Sequence, residues 1–330
     1  HTLQVNFITS IISSLYGIPI VISFTGMGRL SRSKGLKLIC FRLILKIIAY
    51  FAIRERKSRF VFTSNSSKSA LIFQNYLDKS IFDKCTPKLK RNLKKIIPGS
   101  GLPIRYFNQN LNLQNNKWLD SNFKTNIKLE SITLIYCGRL IKSKGLFIFL
   151  EILKTHPSIG GIIYGGKDFS SEDSITDKEI YQIKKKNKNI NFLGYKNDPL
   201  IKLNQKFPIL IVPSDYGEGF SRTILESLSL KIPVVCSKKV LTGIFDENQL
   251  YYVENNSPAE YFEKILLIIE NYKNDYLNSK LEYAYQYIKD NYSEEEVVKS
   301  TLNIYSNLLN KNSTSYLNKK NKNESFWIAQ

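Results

Sequence analysis

Tyr216-Gly-Glu218-Gly-Phe220-Ser-Arg222-Thr-Ile-Leu-Glu226-Ser227 is the stretch whose reading decides the fold. An apolar run, Pro208 to Val212, precedes it and reads as a buried strand; Thr223–Leu230 follows as a helix packed by Ile224, Leu225, Leu228 and Leu230. Strand, glycine-containing turn and helix in that order are one crossover of a parallel α/β sheet. At such a turn the free amides of the first helical turn, from Phe220 to Arg222, point outward with the positive end of the helix dipole. A phosphate or a sugar hydroxyl docks well there, and Arg222 adds a full charge. Glu218 and Glu226 lie eight positions apart, which on helical geometry separates them by roughly 80° and about 12 Å. Two carboxylates so placed share no proton, but they can hold two ends of one long ligand.

Working outward, the same alternation continues on both sides. Apolar strand candidates at Thr133–Cys137, Gly161–Tyr164, Ile190–Leu193, Ile209–Val212, Pro233–Cys236 and Leu250–Val253 are separated by helical stretches, which predicts a doubly wound parallel sheet. Its first turn carries Gly138-Arg139-Leu-Ile-Lys-Ser-Lys144-Gly145, so two cations surround a strand-to-helix turn and can converge on a diphosphate at the carboxyl edge. Tyr164-Gly165-Gly166 and Phe192-Leu-Gly194-Tyr195 end two further strands. Residues 257–290 read as two helices, and Ser293 with Glu296 forms a capping box for a last helix reaching Leu309. Lys311 to Lys322 reads as a polar tail.

Upstream, residues 1–28 hold no charged side chain, yet Gly17 and Pro19 interrupt them and no clean apolar span of about 20 residues survives. A helix from Val5 to Tyr16 and a strand from Pro19 to Phe24 are expected, then a turn, Thr25-Gly26-Met27-Gly28, at the strand's carboxyl end. Leu36 to Ile53 looks helical, with Arg42 and Lys46 among apolar residues; it suits either a membrane interface or a core layer. A strand at Phe60–Thr63, a helix near Ser66–Leu77 and a basic cluster from Lys84 to Lys95 follow. Asn-rich residues 108–128 fit a linker.

The net charge of +20 is uneven: residues 1–118 hold 20 Lys and Arg against Glu55, Asp78 and Asp83. That field suggests an anionic partner, lipid or nucleic acid, for the first half. Nucleic acid is disfavoured, because the cationic runs hold no finger or RNP-like motif. The four cysteines are widely spaced and read as reduced core residues, and with only His1 and His156 a His/Cys metal site is not expected.

Pro213-Ser214-x-x-x-Glu218-Gly219-x-x-Arg222-x-x-x-Glu226, with Lys231-Ile-Pro-Val-Val after it, resembles the signature of retaining, two-Rossmann-domain (GT-B) glycosyltransferases of family 4. The Gly138-Arg139…Lys144-Gly145 turn is similar to that family's second motif, and Ile97-Pro-Gly-Ser-Gly101 to the segment leading into its interdomain linker. His1, Thr2, Asn6, Thr25, Gly26 and Gly28 resemble the opening of a branch acting on lipid-linked glycans, in which case the first strands lie upstream of His1.

The resemblance implies an α/β, GT-B architecture of two Rossmann-like domains facing a cleft, residues 1–118 acceptor-side and 119–309 binding a nucleotide-sugar, with the last helix crossing back. It implies transfer of a sugar from a nucleotide diphosphate, UDP in preference to GDP, with retention and with neither cofactor nor metal. Arg139, Lys144 and Glu218 then form the catalytic set. Gly138, Gly165, Tyr195, Gly219, Phe220, Ser221, Arg222 and Glu226 hold the donor, Glu218 at its sugar and Glu226 at its ribose. Thr25, Gly26 and Gly28 lie on the side of a polyprenyl-linked or other surface-polysaccharide acceptor, on the anionic inner face of the cell membrane. The rival readings are a nucleotide-sugar-binding remnant without activity and a basic nucleic-acid-binding protein.

Overall fold

A computed structural model describes residues 2–16, 18–27, 34–53, 69–87, 94–107, 127–215 and 220–309. The chain divides into two compact units, residues 1–100 with 295–330, and residues 101–294.

Among the described residues the first unit holds a three-stranded parallel sheet, β1 (Ile20–Phe24), β2 (Ser69–Phe73) and β3 (Lys94–Ile96), in that order. Alternation along β2 sorts its side chains between two faces. Leu71 and Phe73 turn to one face, where they meet Phe41, Leu45 and Ile48 of α2 (Leu36–Ile53) and Phe82 of α3 (Tyr76–Cys85). Phe24, Phe73 and Phe82 form a triangle of rings with centroids 5.0 to 5.3 Å apart. Ala70 and Ile72 turn the other way, toward Val297 and Ile304 of the last helix, Glu294–Leu309. Helix α1 (Leu3–Tyr16) packs on α2 and β1, and its Asn6 amide donates to the Ser23 carbonyl at 2.8 Å.

The helix expected near Ser66–Leu77 is corrected: its centre is β2, and a helix starts only at Tyr76, with Asn75 capping it by accepting from the Asp78 amide at 2.7 Å. A run of five residues, every one buried, carries no periodicity that separates helix from strand. The strand expected at Phe60–Thr63 lies outside the described residues.

The second unit is a six-stranded parallel sheet ordered β6-β5-β4-β7-β8-β9. These are β4 (Ile132–Cys137), β5 (Gly160–Tyr164), β6 (Ile190–Gly194), β7 (Phe207–Val212), β8 (Val234–Ser237) and β9 (Tyr251–Val253). Counted within the unit the order is 3-2-1-4-5-6, so the winding reverses between β4 and β7. In sheets of this kind ligands gather in the crevice that opens there, beyond the carboxyl ends of the strands.

Every residue of β7 is buried, which accounts for its continuous apolar run. Helices α4 (Leu146–Thr155) and α7 (Pro258–Lys273) cover one face through Phe149, Leu153, Tyr261 and Ile265. Helices α6 (Arg222–Ser229) and α8 (Tyr276–Tyr292) cover the other through Ile224, Leu225, Leu228, Ala284 and Ile288. One helix, α5 (Asp177–Lys186), opens with a full capping box between Thr176 and Glu179.

The division between the units falls at 100/101 rather than at 118/119. Leu102 exchanges backbone hydrogen bonds with Tyr292 and Glu294 at 2.8 and 2.9 Å, and Leu102 and Tyr106 are wholly buried in the second core. Residues just after the glycine turn at 99–101 thus have apolar side chains to bury, and the second unit buries them. The last helix, α9 (Glu294–Leu309), belongs from Glu295 onward to the first unit.

Candidate functional site

At the reversal of the sheet lies a cavity of about 270 Å³, bounded by the ends of β4 and β7 and by the mouth of α6. Of the residues singled out from sequence, Gly138, Arg139, Lys144, Phe220, Ser221 and Arg222 all line it.

The β4 wall is fixed by close backbone packing. Gly145 has φ +74°, in the left-handed region, and a Cβ there would lie 1.8 Å from the Pro213 carbonyl oxygen. Only glycine lets this turn rest on the end of β7, and that contact places Lys144 beside the cavity. Gly165 does the same for the neighbouring strand: a Cβ would come 1.8 Å from the Gly138 carbonyl oxygen. It therefore permits the approach of two strand ends and is not itself on the cavity wall. The turn is also bound from its other side. Asp173 accepts from the Ser143 amide at 3.1 Å and from its hydroxyl, and the Lys142 amide donates to the Asp173 carbonyl at 2.8 Å. The Ser143 and Ser171 hydroxyls hold the Asp173 carboxyl down to about 2. Arg139 pairs with Asp168, whose carboxyl is lowered first by Ser170 and then by Arg139.

The α6 wall is a helix mouth. Ser221 is the residue before the helix, and no side chain among the described residues caps the mouth; the Ser221 and Thr223 hydroxyls pair with each other at 3.2 Å. First-turn amides of any α-helix lack an intrahelical acceptor, so this mouth offers donors to a ligand. Phe220 anchors it, its ring 5.8 Å from Tyr292 and 6.4 Å from Phe245. One turn in, the Arg222 Nε donates to Glu226 Oε1 at 2.8 Å. Glu226 is buried, and burial raises its carboxyl above the ordinary range against the opposing pull of Arg222. Cys137, on the cavity wall, has its thiol pushed up to about 12, by burial first and by the Glu226 charge second.

Tyr195 is exposed, off the cavity wall, with its hydroxyl donating to Asn197 Oδ1 at 2.8 Å. Thr25 and Gly26 follow β1 in the first unit, and the next amide, that of Met27, donates to the buried Asp78 at 3.1 Å. Glu218, Gly219 and Gly28 lie outside the described residues.

Two residues that sequence reasoning missed stand behind Glu226. The Tyr106 hydroxyl donates to Asp198 Oδ1 at 2.7 Å, and the helix that carries it packs on α6, where Tyr106 draws the Glu226 carboxyl down. No local signal marks Tyr106; its partner is 92 positions away. Asp168 was findable, because it follows β5 at the same carboxyl edge of the sheet as Arg139.

The family model described as Glycosyl transferases group 1 matches residues 119–287. An O-antigen biosynthesis glycosyltransferase of Escherichia coli, WclY, is 25% identical over 184 residues, which cover 56% of this chain and 49% of that protein. The match thus spans about half the length of the curated relative. Among solved structures, Anabaena Alr3699/HepE in complex with UDP superposes with a TM-score of 0.68 at 17% identity, over 93% of this chain and 77% of that one. Sucrose-phosphate synthase from Thermosynechococcus elongatus does so with a TM-score of 0.67 at 12% identity, over 93% and 72%. At such identities the likeness shows the fold, an α/β architecture of GT-B type.

Proposed function

The chain belongs to the glycosyl transferases group 1 family, and from that premise we propose that it moves a sugar from a nucleotide diphosphate, UDP in preference to GDP, onto a polyprenyl-linked or other surface-polysaccharide acceptor with retention, as a family 4 enzyme. The observation that carries this reading is the convergence of Arg139, Lys144, Arg222 and an open helix mouth on one cavity at the reversal of a parallel sheet. UDP in the HepE complex and O-antigen synthesis in the name of WclY support the donor and acceptor classes.

The diphosphate sits in the cavity with Arg139 and Lys144 on one side and the α6 amides on the other. These donors are in place before reaction, so they stabilise charge growing on the leaving diphosphate at no cost in reorganisation. They take the part that a metal ion plays elsewhere. Glu226 accepts from the ribose hydroxyls and Glu218 from the donor sugar, with Gly219 beside them; Gly165 acts from behind by letting the strand ends approach, and Tyr195, off the cavity wall, is left to contact the base. The acceptor oxygen bonds to the anomeric carbon on the face from which the diphosphate departs, and its proton passes to the leaving phosphate.

Thr25, Gly26 and Gly28 face the acceptor in this reading. Calorimetric titration with UDP tests the donor site: Lys144→Ala should weaken binding by about tenfold, the loss of one charge-assisted contact of about 1.4 kcal/mol. Wild-type protein that takes up no UDP sinks the proposal.

The acceptor's location at the cytoplasmic face of the membrane is supported by α1 and α2, which pack on each other in the first unit. Val5, Ile8, Ile12 and Leu15 stand exposed along α1, and Leu36, Ile39, Leu43 and Tyr50 along α2, with Lys37, Arg42 and Lys46 exposed among them. Among the described residues no helix is long and apolar enough to cross a membrane. Apolar side chains beside cations suit adsorption to an anionic lipid surface. Flotation with vesicles containing phosphatidylglycerol should carry the protein up and vesicles of phosphatidylcholine should not; equal flotation with both removes the electrostatic part of this reading.

A further inference from the structure

Glu226 is buried one helical turn behind Arg222, off the cavity wall, and its carboxylate is held from two sides. On its own helix, Arg222 Nε donates to Oε1 at 2.8 Å. From behind comes Tyr106, on the short helix Ile104–Phe107, with a side chain wholly buried. Its hydroxyl donates to Asp198 Oδ1 at 2.7 Å, and its helix packs on α6, close enough for Tyr106 to favour the ionised form of Glu226. Asp198 in turn accepts from Arg105 Nε at 3.1 Å and sits at φ +48°, a left-handed conformation that is unfavourable for a residue with a Cβ. A strained position persists when its surroundings determine it more than once. Here the determinants are Arg105, Tyr106 and the Ile201 amide, which donates to the Asp198 carbonyl at 3.2 Å.

A phenol has one hydrogen, and two carboxylates face this one. When the hydrogen goes to Asp198, the phenol oxygen can only accept, and among the described residues a carboxylate at Glu226 is then served by Arg222. When it swings to Glu226, Asp198 falls back on Arg105. We propose that Tyr106 and Asp198 are positioning residues for nucleotide binding: together they set the direction and the hydrogen-bonding state in which Glu226 meets the ribose hydroxyls of the donor. The proposal rests on the reading of Glu226 as the ribose ligand.

The two residues act in opposite senses. Contact with Tyr106 favours the ionised form of Glu226, whereas the negative charge of Asp198 disfavours it. Arg222, on the same helix, favours it; Cys137, at the end of β4, stays a neutral thiol and contributes no charge. Helix α8 packs against α6 with Ala284 and Ile288, which do not titrate. A ribose diol donates two hydrogen bonds, so it favours ionised Glu226, and binding strengthens as pH rises through the Glu226 pKa. Removing the Tyr106 hydroxyl raises that pKa and moves the midpoint of the binding profile to higher pH. Removing the Asp198 charge takes away a repulsion on ionised Glu226 and weakens the competing acceptor for the phenol hydrogen, and the midpoint moves to lower pH.

The test is UDP affinity by calorimetry across pH on the full chain, for wild type, Tyr106→Phe, Asp198→Asn and Glu226→Gln, with thermal midpoints recorded for each. Opposite displacements of the pH midpoint in Tyr106→Phe and Asp198→Asn, with Tyr106→Phe weakening UDP by about tenfold at neutral pH, support the proposal. A structural role alone would lower thermal midpoints and leave the pH midpoint in place. If Glu226→Gln weakens UDP while the other two variants share the wild-type midpoint or move it the same way, the positioning role is overturned and the ribose assignment stands. If Glu226→Gln binds UDP as wild type does, the ribose assignment fails and this proposal with it.

Discussion

The two walls of the cavity are built by different physics. On the β4 side the Gly138–Gly145 turn is set by steric closeness: two glycines sit where a Cβ would run into a carbonyl oxygen, and Asp173 ties the turn down with hydrogen bonds to Ser143. On the α6 side the mouth is set by electrostatics: a helix start without a side-chain cap among the described residues, one cation, and a buried carboxylate whose ionisation is contested by its neighbours. A wall of the first kind is indifferent to pH and salt and intolerant of added atoms. A wall of the second kind tolerates isosteric change and responds to charge. In the proposed reading both walls hold one diphosphate, and each can be broken without touching the other.

The largest effect belongs to the steric wall. Gly145→Ala places a Cβ 1.8 Å from the Pro213 oxygen in a left-handed conformation, and neither group is the free end of a flexible side chain. The turn or the end of β7 has to move, at a cost on the order of 3 kcal/mol. Pro213 is held in place, since its carbonyl accepts from the Asn256 side chain at 3.2 Å, and Asn256 is fixed by the Tyr261 hydroxyl at 2.8 Å. Thermal unfolding should therefore drop by several degrees and UDP binding should be lost at every pH and every salt concentration. An alanine variant with wild-type UDP affinity would mean that the turn yields easily, and the contrast between the walls would collapse.

The same contrast explains what could be read from sequence. In the second unit strand centres and helices follow from apolar runs between polar helical segments, and all six strands lie within one or two residues of expectation. Motif glycines were readable because backbone proximity demands one residue type. In the first unit, β2 reads as part of a helix because a fully buried five-residue run shows no period. The division at 100/101 was missed because linker-like composition around residues 108–128 says nothing of Leu102 and Tyr106, whose burial depends on partners nearly two hundred positions away in α8. Within the site the electrostatic partners were least readable. Tyr106 meets Asp198 and Glu226 only after the fold closes, and Arg139 finds Asp168 across two strand ends. Charges in sequence announce their presence, while their pairing is a property of the fold.

The smallest effect sharpens the contrast at an exposed charged contact on the steric wall, Arg139 with Asp168. The Arg139 side chain of the Arg139–Asp168 pair is 54% accessible, so solvent screens the pair and it adds little to stability. In the proposed reading a diphosphate entering the cavity competes with Asp168 for the same guanidinium. Removing the competitor in Asp168→Asn should tighten UDP by about twofold to fivefold at low ionic strength. The gain should fade at high salt, where the Debye length falls to about 3 Å at 1 M. Titration of the variant at two salt concentrations decides the matter. A loss of affinity beyond tenfold would show that Asp168 aims Arg139 as Tyr106 is proposed to aim Glu226, and then both walls would depend on a carboxylate behind the ligand-facing residue.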